Sequence, residues 1–178
     1  QDHLDYHKNM KNYLNAKLIL FNKLLEKKKY IITDNEIPEF LKLKKIANKN
    51  NLNLCTIGKK NSSIQFKSIK NNNNFQNIIF RHNKKNYTVK IPLIGLFQIK
   101  NLFMSILAAK LSGLNIKNSL YVAKNIKEVN GRLQLIKTTP NQTKIFIDYA
   151  HTPNALETTL KTLKDHYKVR PDVIFGCG

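Results

Sequence analysis

The stretch Ile145-Phe146-Ile147-Asp148-Tyr149-Ala150-His151-Thr152-Pro153-Asn154-Ala155-Leu156-Glu157 decides the fold. Ile145, Phe146 and Ile147 read as a short buried strand. Asp148 closes it where a parallel sheet presents its carboxyl edge, the place at which ligands of open α/β sheets gather. Thr152 suits the cap of a following helix and Pro153 its first turn. Ala155, Leu156, Leu160 and Leu163 then return at three- and four-residue spacing. The reading is strand, polar elbow, helix. Such an elbow aims a carboxylate, a phenol and an imidazole at a helix N-terminus, where backbone N–H groups and the macrodipole favour an anion such as a phosphate. An ordinary βα turn, with Asp148 and Thr152 serving only as caps, is the alternative that the residues alone leave open.

Working outward, the 178 residues suffice for a real core, in one domain or one plus part of another. The chain opens on Gln1 and stops at Phe175-Gly176-Cys177-Gly178 directly after an expected strand, so it reads as a piece of a longer protein. No apolar run approaches the roughly 20 residues of a membrane helix, and no signal-peptide pattern opens the chain. Cys55 and Cys177 lack a CxxC partner, which indicates neither a disulfide framework nor zinc and agrees with a reducing cytoplasm. The formal charge of +20 is the usual footprint of nucleic-acid binding. All but three of the 31 cations are Lys, however, the exceptions being Arg81, Arg132 and Arg170. Base readout and bidentate phosphate recognition favour Arg. The lysines are scattered among abundant Asn and Ile, as drift in an AT-rich genome would leave them, and that reading is preferred to a nucleic-acid module.

Upstream, a helical pattern carries Met10, Tyr13, Leu14, Ala16, Leu18, Leu20, Phe21 and Leu24 on its apolar face. Strands are expected at Tyr30 to Thr33 and Leu52 to Ile57, on either side of a helix from Pro38 to Ala47. Alternation at Ile64/Phe66, Ile78/Phe80 and Tyr87/Val89/Ile91 marks an antiparallel meander at a sheet edge, with Asn71 to Asn74 as a loop. Tyr87 and Phe66 fit packing better than base stacking at this period. Gly95 leads into a buried helix through Leu102, Phe103, Ile106 and Leu107. A short helix from Leu120 to Val129 with Ser119 as its cap follows. Leu133 to Lys137 and Lys144 to Ile147 then form a strand pair, and Val173 to Phe175 a last strand.

The elbow closely resembles the Asp-Tyr-Ala-His-Thr-Pro-Asp-Ala-Leu-Glu signature of the Mur ligases of the MurE type, with Asn154 in place of one Asp. Four further motifs are similar to the same family, in order. Asp2-His3-Leu4-Asp5-Tyr6-His7 is followed by Tyr13-Leu14-Asn15-Ala16-Lys17. Gly95 to Asn101 resembles Gly-x-Phe-Asn-x-x-Asn, with Gln98 replacing the first Asn. Gly131-Arg132 resembles a Val-x-Gly-Arg-x-Glu junction, with Gln134 replacing the Glu. Val173 to Gly178 resembles a strand leading into Phe-Gly-Cys-Gly-Gly.

The resemblance implies an α/β fold: residues 1–130 as the later part of a central ATPase domain, a mixed sheet with helices and a meander, and residues 131–178 as the start of a Rossmann-like C-terminal domain. It implies His3 as a Mg²⁺ ligand and Lys17 as a carbamylated lysine, whose added CO₂ would turn a cation into an oxygen donor suited to Mg²⁺. It further implies Asn101, Arg132, Asp148 and Tyr149 at ATP, and His151 in the catalytic elbow. The parent enzyme would activate the D-glutamate carboxylate of UDP-MurNAc-L-Ala-D-Glu as an acyl phosphate. Attack by the amino group of a diamino acid, meso-diaminopimelate in preference to L-lysine, would follow. A cytoplasmic monomer without nucleic-acid or membrane partners is expected. The chain lacks Gly-x-x-x-x-Gly-Lys-[Ser/Thr], so by itself it is expected to be inactive. A non-catalytic remnant and a basic nucleic-acid-binding module are the other classes considered.

Overall fold

The computed structural model describes residues 4–176, with side chains from residue 6 onward. Chain order is α1 (Leu4–His7), α2 (Met10–Ile19), a π-helical turn (Leu20–Leu24), β1 (Tyr30–Asp34), α3 (Phe40–Lys49), β2 (Asn53–Gly58), β3 (Ile64–Asn72), β4 (Phe75–His82) and β5 (Lys85–Ile91). Then come α4 (Leu96–Leu111), α5 (Ile116–Ala123), β6 (Gln134–Thr138), β7 (Lys144–Ile147) and α6 (Pro153–Tyr167).

Two sheets divide the molecule. The larger has strand order β1-β2-β3-β4-β5. β1 and β2 run parallel through the α3 crossover, and β3, β4 and β5 form the expected antiparallel meander. Its core is the alternate apolar residues of β3 to β5 packed on α4: Ile64, Ile78, Phe80 and Ile91 are fully buried with Ile99 and Phe103. The Phe103 ring meets Phe66 and Phe80 edge-on at centroid distances of 5.1 and 4.9 Å. Tyr87 stacks on Phe80 at 5.2 Å, so both candidate stacking aromatics are packing residues.

The second sheet is only β6 with β7, antiparallel. This corrects the expected setting of the elbow. Ile145 and Ile147 are 46% and 52% exposed, and the strand ending at Asp148 has no parallel neighbour among the described residues. Val173, Ile174 and Phe175, expected as a strand, are exposed and irregular, because a strand requires a hydrogen-bonded neighbour and none of the described residues supplies one.

Three helical expectations also shift. The pattern from Met10 to Leu24 is broken by the π turn, whose closing bond runs from Leu25 N–H to Leu20 O at 2.8 Å, five residues back. The extra residue rotates the apolar stripe. Leu18 is buried with Leu14 and Phe21 packed alongside, whereas Met10, Leu20 and Leu24 are exposed. α5 begins earlier than expected and ends at Ala123. Its cap is Asn115, which accepts from Lys117 N–H, while Ser119 lies inside the helix and donates to Asn115 O. α4 starts at Leu96, so Asn101 sits in its second turn rather than at its N-terminus.

Candidate functional site

The elbow folds as its residues dictate. Thr152 caps α6, its Oγ1 accepting from Ala155 N–H at 3.3 Å, and Pro153 occupies the first turn. Leu156 N–H bonds to Thr152 O at 2.9 Å and Pro153 has no N–H. Asn154 therefore supplies the one N–H of that first turn not taken up by the cap, and the helix end is a narrower anion donor than the sequence suggests.

Asp148 is the hinge pin of the elbow. Its Oδ2 accepts from Leu133 N–H at 2.8 Å, and its Oδ1 accepts from Ala150 N–H at 2.9 Å and from the Thr159 hydroxyl at 3.1 Å. A carboxylate has about four acceptor directions, so three are spent inside the protein, joining the β6 entrance, the elbow and α6. The backbone adds Tyr149 N–H to Gly131 O at 2.8 Å.

Arg132, Tyr149 and His151 are consequently gathered on one exposed face. The Arg132 guanidinium carbon lies 5.3 Å from the Tyr149 ring centroid, the His151 ring meets Tyr149 at 5.0 Å, and His151 Nδ1 is 3.0 Å from Tyr149 O. A guanidinium over an aromatic face keeps its N–H fork free for an anion, and no carboxylate is paired with Arg132 among the described residues. α4 reaches the same junction: Gln98, 8% exposed, donates from Nε2 to Ile94 O at 3.1 Å and to Arg132 O at 3.4 Å. Gln98 thus buttresses the backbone beneath Arg132. Asn101, one turn further along α4, is exposed.

Lys17 is exposed on α2 with its ammonium 4.6 Å from the Tyr13 ring centroid. His3 lies outside the described residues. No group of three or more His, Cys, Asp or Glu side chains able to hold a metal occurs among the described residues. Those residues do not form a Mg²⁺ site by themselves, and an ammonium at Lys17 repels a cation unless it is converted to a carbamate.

One ionic cluster was hidden in the sequence. Lys100 Nζ lies 2.6 Å from Asp34 Oδ2 and 2.9 Å from Glu36 Oε2, at the carboxyl end of the parallel pair. Burial pushes the Lys100 pKa down, but hydrogen bonds and charge attraction from Asp34 and Glu36 outweigh it, and the net shift is upward. Glu36 N–H also donates to Asp34 Oδ1 at 2.9 Å. One lysine among so many carries no signal in the sequence.

The five-stranded mixed sheet, the β6–β7 hairpin and the capped elbow before α6 define an α/β class of fold. The family model described as Mur ligase middle domain matches residues 1–109, and that described as Mur ligase, glutamate ligase domain matches residues 131–178. The chain belongs to the Mur ligase family. It is 38% identical over its whole length to the UDP-N-acetylmuramoyl-L-alanyl-D-glutamate--2,6-diaminopimelate ligase of Rickettsia montanensis, covering 36% of that protein. It is 36% identical to the ligase of the same name from Wigglesworthia glossinidia brevipalpis, again covering 36%. The chain therefore spans about a third of the length of the curated relatives it matches. A solved UDP-N-acetylmuramoyl-L-alanyl-D-glutamate--2,6-diaminopimelate ligase superposes with TM-score 0.74 at 26% identity, over 93% of this chain and 34% of the other. MurF of Thermotoga maritima, solved in complex with ADP, shares the fold at TM-score 0.74 and 18% identity, over 91% and 36%.

Proposed function

We propose that this chain is part of an ATP-dependent ligase of peptidoglycan precursor synthesis. That ligase joins a diamino acid, meso-diaminopimelate, to the D-glutamate carboxylate of UDP-MurNAc-L-Ala-D-Glu through an acyl phosphate. The observation that carries the reading is the elbow, in which Asp148 locks the junction backbone while Arg132 lies over Tyr149 with no carboxylate partner among the described residues. That is the arrangement needed to clamp a phosphate between two lobes. We divide the chain at residues 1–130 and 131–178 on the same grounds.

In the mechanism, Arg132 takes the negative charge of the nucleotide phosphates, Tyr149 holds the guanidinium in plane, and Gln98 fixes the backbone from beneath. Asn101 offers an amide that can both donate to and accept from an adenine edge. Asp148 keeps one acceptor direction for a ribose hydroxyl, and its main work is positioning. His151, tied to Tyr149 O, orients the elbow beside the reacting phosphate. ATP supplies the leaving group that turns a carboxylate into an acylating agent. Phosphoryl transfer requires positioning and charge neutralisation more than covalent help from the protein. The phosphate cradle itself has no Gly-x-x-x-x-Gly-Lys-[Ser/Thr] in this chain. A carbamate on Lys17 with His3 would make the Mg²⁺ ligands; a mass gain of one CO₂ on the peptide carrying Lys17, lost in acid, tests that assignment.

The decisive assay measures ligation of meso-diaminopimelate and of L-lysine to UDP-MurNAc-L-Ala-D-Glu by the longer ligase containing this segment, with and without Arg132→Lys. Loss of one oriented phosphate donor lowers kcat about 100-fold. Wild-type kinetics in that variant, or a ligase that accepts neither amino acid, would falsify the reading. The 178-residue chain alone is expected to show no turnover.

A further inference from the structure

Asn130-Gly131 is the one Asn-Gly pair in the chain, and it immediately precedes Arg132. Asn is chemically labile, because the backbone nitrogen that follows it can attack its side-chain carbonyl. Gly leaves that nitrogen least shielded, since it carries no Cβ. Here the pair forms the centre of a turn closed by Arg132 N–H to Val129 O at 2.9 Å. Gly131 takes the third place at a φ of 70°, the type II geometry that glycine fills without strain. Asn130 is exposed, and a Cβ on Gly131 would meet nothing within 4 Å among the described residues. Water reaches the pair and no packing crowds it.

One side chain restrains it. Gly131 N–H donates to Gln134 Oε1 at 2.9 Å, and Gln134 Nε2 donates to Asn130 Oδ1 at 3.3 Å. A backbone N–H can only donate, so Gly131 fixes which end of the Gln134 amide faces it. The other end is then a donor, and it selects the oxygen of Asn130. Gln134 thus holds both the nitrogen that would attack and the carbonyl that would be attacked. Both bonds have to open before the two atoms meet.

We propose that Asn130-Gly131 is a site of spontaneous deamidation whose rate Gln134 sets. The Gly131 nitrogen gives its hydrogen to solvent base and bonds to Asn130 Cγ. The Cγ–Nδ2 bond breaks, ammonia leaves and a five-membered imide closes. Water then opens either imide carbonyl, which leaves an aspartyl or an isoaspartyl residue at position 130. One water is taken up and one ammonia lost, so the step needs no oxidant and no cofactor. The product places a carboxylate two residues from Arg132, whose guanidinium has no carboxylate partner among the described residues. The isoaspartyl form also adds one carbon to the main chain at the entrance to β6. Its consequence rests on the reading of Arg132 as a phosphate clamp: the new carboxylate competes with phosphate for the guanidinium and lowers ligase turnover.

The test is incubation of the 178-residue chain at physiological temperature and pH, followed by trypsin, which releases residues 128–132 as a peptide with a single Asn. Mass spectrometry reads the change of amide to acid, and an isoaspartyl methyltransferase scores the isomer that only the imide route gives. Both products should accumulate. Gln134→Leu should accelerate them about tenfold, the effect of losing two hydrogen bonds, and Asn130→Ser should be silent in that peptide. Should Gln134→Leu fail to fold, the wild type unfolded in guanidinium decides, since it too should react faster than the native chain. In the longer ligase, turnover should fall in step with the modified fraction, while Asn130→Ser aged alongside keeps its own. Absent turnover in the fresh wild type overturns the ligase reading alone, and the peptide result then decides this proposal. Rates no faster in Gln134→Leu and in the unfolded chain than in the native one, acid without isoaspartyl product, or full turnover at a high modified fraction overturns it.

Discussion

Asp148 illustrates how a signature residue can be structural first. It accepts from Leu133 N–H, Ala150 N–H and the Thr159 hydroxyl, and Leu133 itself is fully buried at a φ of 44°. Asp148→Ala orphans three donors at once and should cost about 3 kcal/mol, read as a shift of the denaturation midpoint at unchanged m. A second residue-scale expectation concerns Tyr167, whose hydroxyl is buried without a partner among the described residues and whose ring lies 5.8 Å from Phe146. Burial, with the negative charge of Glu128 adding to it, pushes its phenol up to about 12. An unfolded tyrosine ionises near 10, by ordinary reference values. The folded state therefore holds a proton that the unfolded state releases, so stability present below about pH 10 is lost as pH rises from about 10 to about 12. Spectrophotometric titration should find one late phenol, and Tyr167→Phe should remove both the late phase and the alkaline loss.

At the scale of elements, the join between α4 and α6 is set by Gly95. Its φ of 93° lies where L side chains rarely go, and a Cβ there would meet Thr162 Cγ2 at 2.5 Å. Gly95→Ala should destabilise by ~2 kcal/mol or more, and combining it with Thr162→Ala should recover part of the loss; melting of the single and double variants measures the coupling. Local chemistry was legible here wherever a signal sat next to its effect, as with Thr152 and Pro153 at the start of α6. It failed where two caps competed: Asn115 takes α5, because an Asn side chain reaches the N–H two residues on, and Ser119 is absorbed into the helix. The π turn at Leu20–Leu24 has no signature in an apolar periodicity that continues through it.

Over the whole molecule, charge and topology act separately. The net +20 is spread through every segment, and the three arginines lie far apart in sequence. Retention of DNA on this chain at physiological salt should be absent; a filter-binding assay with a steep salt slope would instead mark a dedicated nucleic-acid module. Periodicity by itself determined the meander, the α4 core helix and the strand-elbow-helix order, because alternation and three-to-four spacing are local consequences of which face is buried. Five ordered motifs likewise determined the family. Only the tertiary structure decided that Lys100 finds Asp34 and Glu36, and that Gln98 props the carbonyl of Arg132. Each of these joins residues far apart in the chain, and no local pattern encodes a partner whose identity depends on how the lobes come together.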